Sequence, residues 1–358
     1  MKRFSRLLLL ILCIFVMLTG CVNTQNSEKE KNDNFKTVID ILEREVKVPI
    51  EIETIVVTPI PYTSVIYAID GSAEKLIAIH PSAKNAYSKS MLKILAPDLS
   101  DVSDEYIAQN FALNIEEIVK MKPDVVVLWS NQGDDLKKLE QMGIPAISLT
   151  NGANSDINEM RKNMRIIGSL LGKEKNAENL IQYNINVEEY FKKKIELVND
   201  QDKPKVLYLR DKELKASAGE SFNGQMIELT GGVNVAKKVS GAWTEVSMEQ
   251  IITWDPEIIY LSHFDDFMPE DLYANKIPGQ DWSQVNAVKN KRVYKTPMGI
   301  YRWDAPNSET PLFLKWMGQL QHPNVYNDYV LETEIKDFYK NFFSYNLSDQ
   351  ELNQILNK

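Results

Sequence analysis

DINEMRKNMRIIGSLLGKEKNAENLIQYNINVEEYFKKKIELVN, from Asp156 to Asn199, is the stretch whose reading decides the fold. It divides at Gly172 into a short helix, Ile157 to Leu171, and a long one from Glu174 to about Val198. Over the long part, Ala177, Leu180, Ile181, Val187, Tyr190, Phe191, Ile195 and Val198 recur mostly every three or four residues, one apolar stripe of a 3.6-residue period. Lys173, Lys175, Glu178, Glu188, Lys192 and Lys193 occupy the opposite face. At ~1.5 Å per residue, roughly 25 residues make a rod of about 37 Å, enough to cross most of a domain. Strand-like and helical runs alternate before the rod, and the alternation restarts after it at Lys205. This predicts two α/β lobes joined by one long helix; the competing reading is a long surface helix within a single large domain.

The 358 residues are long for one core and comfortable for two. A hydrophobic share of 44% with 25% charged residues is ordinary for a globular protein. The net charge of −9, without clustered Lys and Arg, argues against a nucleic-acid surface. At the N-terminus, Lys2, Arg3 and Arg6 precede an apolar run from Leu7 to Leu18, the layout of a secretory leader and short for a bilayer span. It ends in Leu18-Thr19-Gly20-Cys21, which resembles the lipobox of bacterial lipoproteins, so Cys21 is the expected lipidation site; the alternative is a free Cys after an ordinary cleavage site. Cys13 lies inside the leader, so the mature chain is expected to have no disulfide and to be held by its cores. Val22 to Asn34 is polar and reads as a tether.

Between the leader and the rod, apolar strands are expected at Glu45–Pro49, Thr54–Thr58, Leu76–Ile79, Asp124–Leu128 and Ala146–Leu149. After the rod they fall at Val206–Leu209, around Leu214–Ala216, at Glu257–Leu261 and at Arg292–Lys295. Continuous apolar runs of this kind belong to parallel sheets covered on both faces, with helices as crossovers. Helices are expected near Asn223, from Ser247 (a capping box with Gln250) and over Pro311–Leu320, with two more in a tail broken near Asn346, wrapping one lobe.

Five phrases in this order resemble the metal-chelate binding proteins of ABC importers. They are Asp40-Ile-Leu-Glu-Arg-Glu-Val-Lys-Val-Pro49; Leu113-Asn-Ile-Glu-Glu-Ile-Val-Lys-Met-Lys-Pro-Asp-Val-Val-Val-Leu128; Gly231-Gly-Val-Asn-Val235; Ser247-Met-Glu-Gln-Ile-Ile-Thr-Trp-Asp-Pro-Glu-Ile-Ile259; and Trp316-Met-Gly-Gln-Leu-Gln-His-Pro323. The resemblance implies an α/β fold of two lobes, each with a mainly parallel sheet, joined by one long rigid helix, in the manner of class III periplasmic binding proteins. The limits expected are leader 1–20, tether 21–35, first lobe 36–172, connecting helix 173–199, second lobe 200–323 and helical tail 324–358. It further implies a monomeric, non-enzymatic, lipid-anchored receptor on the outer side of the cell membrane, with an ABC permease and its ATPase as partners. The implied ligand is a metal chelate, an Fe(III)-siderophore first, with haem, a corrinoid or a small-chelator complex as alternatives and no intrinsic cofactor. Such proteins dock through a Glu on each lobe; here the matching positions are Ser64, which is not acidic, and Gln225 or Glu228, between which the sequence does not choose.

In open α/β sheets ligands sit beyond the carboxyl ends of the strands, and two facing lobes make a cleft there. That rule selects Tyr62, His80, Trp129, Arg210, His263 and the run Tyr301-Arg302-Trp303 as candidate ligand contacts. Arg pairs with carboxylates or catecholates, and Trp or Tyr stacks on rings. Each has a plainer reading: Trp129 roofs a core, Tyr62 staples a Pro-rich turn, His80 and His263 bond backbone or contact the ligand or its metal, and Arg302 pairs with Asp304. His322, before Pro323, reads as structural. No residue is assigned as a certain metal ligand. A direct Zn or Mn binding protein needs several converging His and carboxylates, and the chain has 3 His. An exported hydrolase is the rival from another class, but Gly219-Glu-Ser-Phe-Asn-Gly224 has Asn223 where the nucleophile elbow needs its second Gly. Ser72-Ala-Glu-Lys75 and Ser90-Met-Leu-Lys93 match Ser-x-x-Lys without the Lys-Thr-Gly that should follow.

Overall fold

Alternation along the central strands sets the layering. In the computed structural model, which describes residues 34–151 and 156–358, the chain begins with an antiparallel hairpin of β1 (Phe35–Ile39) and β2 (Glu45–Pro49). The expected leader, Cys13, Cys21 and the tether up to residue 33 lie outside the described residues. Phe35, read as the end of the tether, belongs to β1 instead, because Asp40 anchors the hairpin. Its carboxylate accepts the N–H groups of Leu42 (3.0 Å) and Arg44 (3.1 Å) in the turn and of Ser148 (3.0 Å) in the neighbouring sheet.

The first sheet holds β3 (Ile55–Val57), β4 (Leu76–Ile79), β5 (Val125–Trp129) and β6 (Ala146–Leu149), all parallel, in the order β4-β3-β5-β6. Val56, Val126 and Leu128 turn to one face against Ile118, Leu136 and Leu139. Ile55, Val57, Val125 and Val127 turn to the other and join the core shared with the rod. The second sheet holds β7 (Lys205–Leu209), β8 (Lys215–Ser217), β9 (Val233–Asn234), β10 (Trp243–Glu245), β11 (Ile258–Leu261) and β12 (Val293–Lys295). Its order is β10-β8-β7-β11-β12 with β9 also on β7, and β8 and β10 run antiparallel to their neighbours. Tyr208 and Tyr260 face the shared core, while Leu207, Leu209, Ile259 and Leu261 face Ile251, Leu272 and Trp282. At two and three residues, β9 and β10 are too short to carry a readable period.

The two Pro-Asp and Pro-Glu phrases are built alike. In each, a helix ends on a left-handed residue before proline, Lys122 (φ 49°) and Asp255 (φ 45°). The next acid then pins the start of the neighbouring strand: Asp124 accepts the Thr54 N–H at 2.8 Å and Glu257 the Lys205 N–H at 2.9 Å. Ser247 and Gln250 form the expected capping box.

The rod is present as expected. Asp156 caps the helix Ile157–Leu171, Gly172 (φ 65°) ends it, and Glu174–Ile195 follows, ~33 Å at 1.5 Å per residue. Gly168 is required where the two helices meet, since a Cβ there would lie 2.6 Å from that of Ala177. Inside the apolar stripe, buried Arg161 pairs with Glu188 and bonds Asn184, which fixes the relative rotation of the two helices. The tail forms the helices Leu331–Phe343 and Asp349–Ile355, the second entered by a Ser348–Glu351 capping box. It does not wrap one lobe: Phe343 lies against Tyr67 of the first lobe, Phe338 against Tyr183 of the rod, and the Ile355 carbonyl accepts from Met298 of the second lobe.

Candidate functional site

A cavity of about 880 Å³ opens beyond the carboxyl ends of the strands, between the two sheets. The first lobe supplies Ile60, Pro61, Phe111, Trp129, Asn131 and Gln132; the second supplies Arg210, Phe222, Asn223, Trp243, Phe264, Tyr301, Arg302 and Asp304.

The first wall is mainly aromatic and is organised by Gln132. Its Oε1 accepts from the Thr58 hydroxyl (2.9 Å) at the end of β3 and from the Trp129 N–H (3.0 Å) at the end of β5. Its Nε2 donates to the Phe111 carbonyl at 3.4 Å. Phe111 has φ 66°, a left-handed conformation costly for a bulky residue, and its ring lies 4.4 Å from that of His80. Trp129 packs edge-on against Tyr62 at 5.8 Å.

The second wall is built on Phe264. The guanidinium carbon of Arg210 lies 4.2 Å from the ring centroid and that of Arg302 lies 3.5 Å from it, so two cations share one aromatic plate. Arg302 Nη1 donates to both carboxylate oxygens of Asp304 at 3.2 Å, and Nε donates to the Tyr301 hydroxyl at 3.3 Å. Asp304 is itself buried, accepts from the Ser262 hydroxyl, and takes the Asn223 side-chain N–H on its carbonyl at 3.1 Å. The loop that carries Phe264 is drawn inward by Lys295, whose ammonium donates to the carbonyls of Ser262 (2.7 Å), Asp265 (2.7 Å) and Phe267 (3.0 Å).

Of the sequence candidates, the structure brings Trp129, Arg210, Tyr301 and Arg302 together on the cavity. The other four do not line it. Tyr62 is buried behind Trp129, with its hydroxyl accepting from Asn163 at 2.6 Å. His80 is fully buried and caps the helix Pro81–Lys89, its Nδ1 accepting from the Ser82 N–H at 3.0 Å. His263 turns its Nε2–H to the Thr296 carbonyl at 2.6 Å; burial and the nearby Lys295 push its pKa down to about 4, which keeps it neutral. Trp303 is 0% exposed and belongs to the shared core rather than to the cavity. His322 is structural as read, its Nε2 bonded to the Gly231 carbonyl at 2.9 Å. Among the docking candidates, Ser64 is buried with its hydroxyl on the Pro61 carbonyl (2.7 Å), and Glu228 pairs with Lys237 (2.7 Å). Sequence reasoning missed Phe111, Gln132, Asn223, Trp243 and Phe264, while the Arg302–Asp304 pair it raised is present. For Phe264 a signal existed, an aromatic residue just past the end of β11; for Phe111 and Trp243, distant from any readable strand end, there was none.

The sequence profile described as periplasmic binding protein matches residues 55–298. A crystal structure of a periplasmic solute binding protein from Veillonella parvula is 50% identical, covers 90% of this chain and 97% of its own, and superposes with a TM-score of 0.85. The molybdate-binding protein MolA of Haemophilus influenzae is 22% identical over 331 residues, 86% of this chain and 91% of that protein. An uncharacterised ABC transporter substrate-binding lipoprotein, YvrC of Bacillus subtilis, is 25% identical over 306 residues, 82% of this chain and 90% of that protein. The chain belongs to the periplasmic binding protein family and is a solute-binding protein of an ABC importer.

Proposed function

We propose that this member of the family captures a bulky anionic metal chelate, a ferric siderophore first among them, in the cavity between its lobes and hands it to an ABC permease and its ATPase. The observation that carries this reading is the pair of guanidiniums on Phe264 facing the aromatic wall of Trp129 and Phe111. Fixed N–H forks bind carboxylate or catecholate oxygens, and ring faces bind the flat, apolar parts of such a chelator. The 880 Å³ volume lies in the range of roughly 300–1,000 Å³ that encloses a drug-sized molecule. A bare tetraoxoanion fills only a small part of it. His80 and His263 are engaged away from the cavity, so in this reading the donors that hold the metal arrive with the ligand. Residues 36–172 and 200–323 act as the two binding lobes, 173–199 as the connecting helix and 324–358 as the tail of a monomeric receptor. The lipobox Leu18–Cys21 supports a lipid anchor at Cys21, with the receptor on the outer side of the membrane.

The purified protein, titrated by tryptophan fluorescence with a ferric tris-catecholate, a ferric tris-hydroxamate, haemin, cyanocobalamin and molybdate, tests the ligand class. Saturable quenching at micromolar concentration or below is expected with a ferric chelate. Saturation by molybdate or cyanocobalamin, with no response to either ferric chelate, overturns the reading. A Cys21→Ala variant tests the anchor: it is expected in the soluble fraction, and equal membrane retention sinks the assignment.

A further inference from the structure

The loop that presents Tyr301 and Arg302 to the cavity is held from behind by a buried acid that takes no part in the cavity itself. Glu309 immediately precedes the helix Thr310–Gln321 and is 0% exposed, yet its carboxylate does not cap that helix. It reaches back to the loop: Oε2 accepts the N–H of Ile300 at 2.9 Å and of Tyr301 at 3.3 Å. Oε1 accepts the hydroxyl of Tyr339, from the tail, at 2.8 Å. The loop backbone comes so close that a Cβ on Gly299 would stand 1.8 Å from Oε1, so any side chain there would displace the carboxylate. Asn307 completes the brace. Its Oδ1 accepts the Glu309 N–H at 2.7 Å, and its Nδ2 donates to the carbonyls of Arg302 (3.0 Å) and Ala305 (2.7 Å).

We propose that Glu309 is a positioning residue of the binding site: its carboxylate, braced by Tyr339, sets the Gly299–Tyr301 backbone and thereby the reach of Tyr301 and Arg302 into the cavity. The proposal rests on the reading above, in which those two side chains contact the ligand. Three donors face the carboxyl, two loop amides and a phenol, and no ion pair of the described residues includes it. The ionised form accepts all three. A proton removes the charge and makes one oxygen a donor that the Tyr339 hydroxyl must then accept, so the bonds to the loop amides lose their charge assistance and weaken. Burial, only partly offset by the bonds from Tyr339, Tyr301 and Ile300, pushes this carboxyl up to about 7. Acidification through that value loosens the brace, and ligand affinity falls with it.

Amide hydrogen exchange of Ile300 and Tyr301, referenced to Val126 and Val127 in β5, reads the brace without any ligand. Titration with a ferric tris-catecholate at pH 8 and pH 6 reads its effect on binding. From pH 8 to pH 6 the ionised fraction falls about tenfold, so referenced protection and affinity are each expected to fall by up to about tenfold. Glu309→Gln keeps an oxygen for the loop amides, and both quantities are expected to become flat with pH. Glu309→Ala is expected to lose the protection at both pH values, and if it does not fold the Gln variant still decides. An unchanged pH slope in Glu309→Gln, or full Ile300 and Tyr301 protection in Glu309→Ala, overturns the proposal. A wild-type protein that takes up neither ferric tris-catecholate nor ferric tris-hydroxamate at either pH sinks the ligand-class reading instead, and amide exchange then decides the brace alone.

Discussion

The guanidinium carbon of Arg302 lies 3.5 Å from the ring centroid of Phe264, while buried Asp304 holds its Nη1. The side chain is therefore oriented before any ligand arrives, and its remaining donors are left for the cavity. A charge-assisted, desolvated contact is worth about 1.5–3 kcal/mol. Arg302→Ala is expected to weaken ferric tris-catecholate binding by roughly ten- to a hundredfold. Arg302→Lys is expected to recover part of it, since an ammonium keeps the charge and loses the planar fork. Phe264→Ala is expected to weaken binding too, by releasing both Arg302 and Arg210. Tryptophan fluorescence titration measures all three, and unchanged affinity in both alanine variants removes this wall from the site.

His263 predicts a pH dependence of stability rather than of ligand coordination. Its folded-state value is lowered to about 4, first by burial and then by Lys295. Between about pH 6.5 and pH 4 the unfolded chain therefore binds a proton that the folded chain does not, and stability falls as pH falls through that window. The loss amounts to at most roughly 3 kcal/mol. Urea midpoints at pH 7, 5.5 and 4.5 are expected to fall less steeply for His263→Gln than for wild type; identical slopes contradict the assignment.

The last ten residues support the binding loop from outside the second sheet. The Met298 N–H donates to the Ile355 carbonyl at 3.0 Å, and the Asn357 side chain donates to the Thr296 carbonyl at 3.0 Å. Removal of residues 349–358 also exposes the contacts of Leu352 and Ile355, each worth about 1.5–3 kcal/mol of buried side chain. The melting temperature is expected to drop by about 5 °C or more, and chelate affinity with it. A truncated protein with wild-type melting and binding shows that the tail is dispensable.

Closure on ligand binding is expected to be small. The rod Glu174–Ile195 is uninterrupted, locked to the helix Ile157–Leu171 by buried Arg161 and Glu188, and covered by the tail through Tyr183 and Phe338. A continuous helix bends sharply only by breaking backbone hydrogen bonds, so a hinge change of a few degrees to about ten is expected. Small-angle scattering with and without a bound ferric chelate measures it; a radius of gyration falling by several ångströms rules the rigid rod out.

Much of the architecture was legible because it rests on local periodicity. The continuous apolar runs at β5 and β11 mark strands covered on both faces, and the stripe from Ala177 to Phe191 marks the rod. Gly172 and the Ser247–Gln250 box mark helix ends through backbone chemistry that is confined to a few residues. Element ends were less sharp: the rod stops at Ile195, short of Val198, where the stripe gives way to exposed Leu197.

The sequence by itself determined the alternation of strands and helices, the long connecting helix and the end of the sheets where a ligand belongs, because each follows from hydrophobic spacing and the direction of parallel strands. It also marked Trp129, Arg210 and the 301–303 run as worth inspection, being large or cationic groups just past strand ends. Tertiary structure alone decided which of them reach the cavity. Tyr301 and Arg302 do and Trp303 does not, because the loop's rotation is set by Glu309, Asn307 and the distant Tyr339. His80 and His263 turn away because nearby backbone groups, Ser82 N–H and Thr296 C=O, claim their nitrogens. A side chain's direction in a loop is fixed by partners far away in the chain, and no local pattern encodes them.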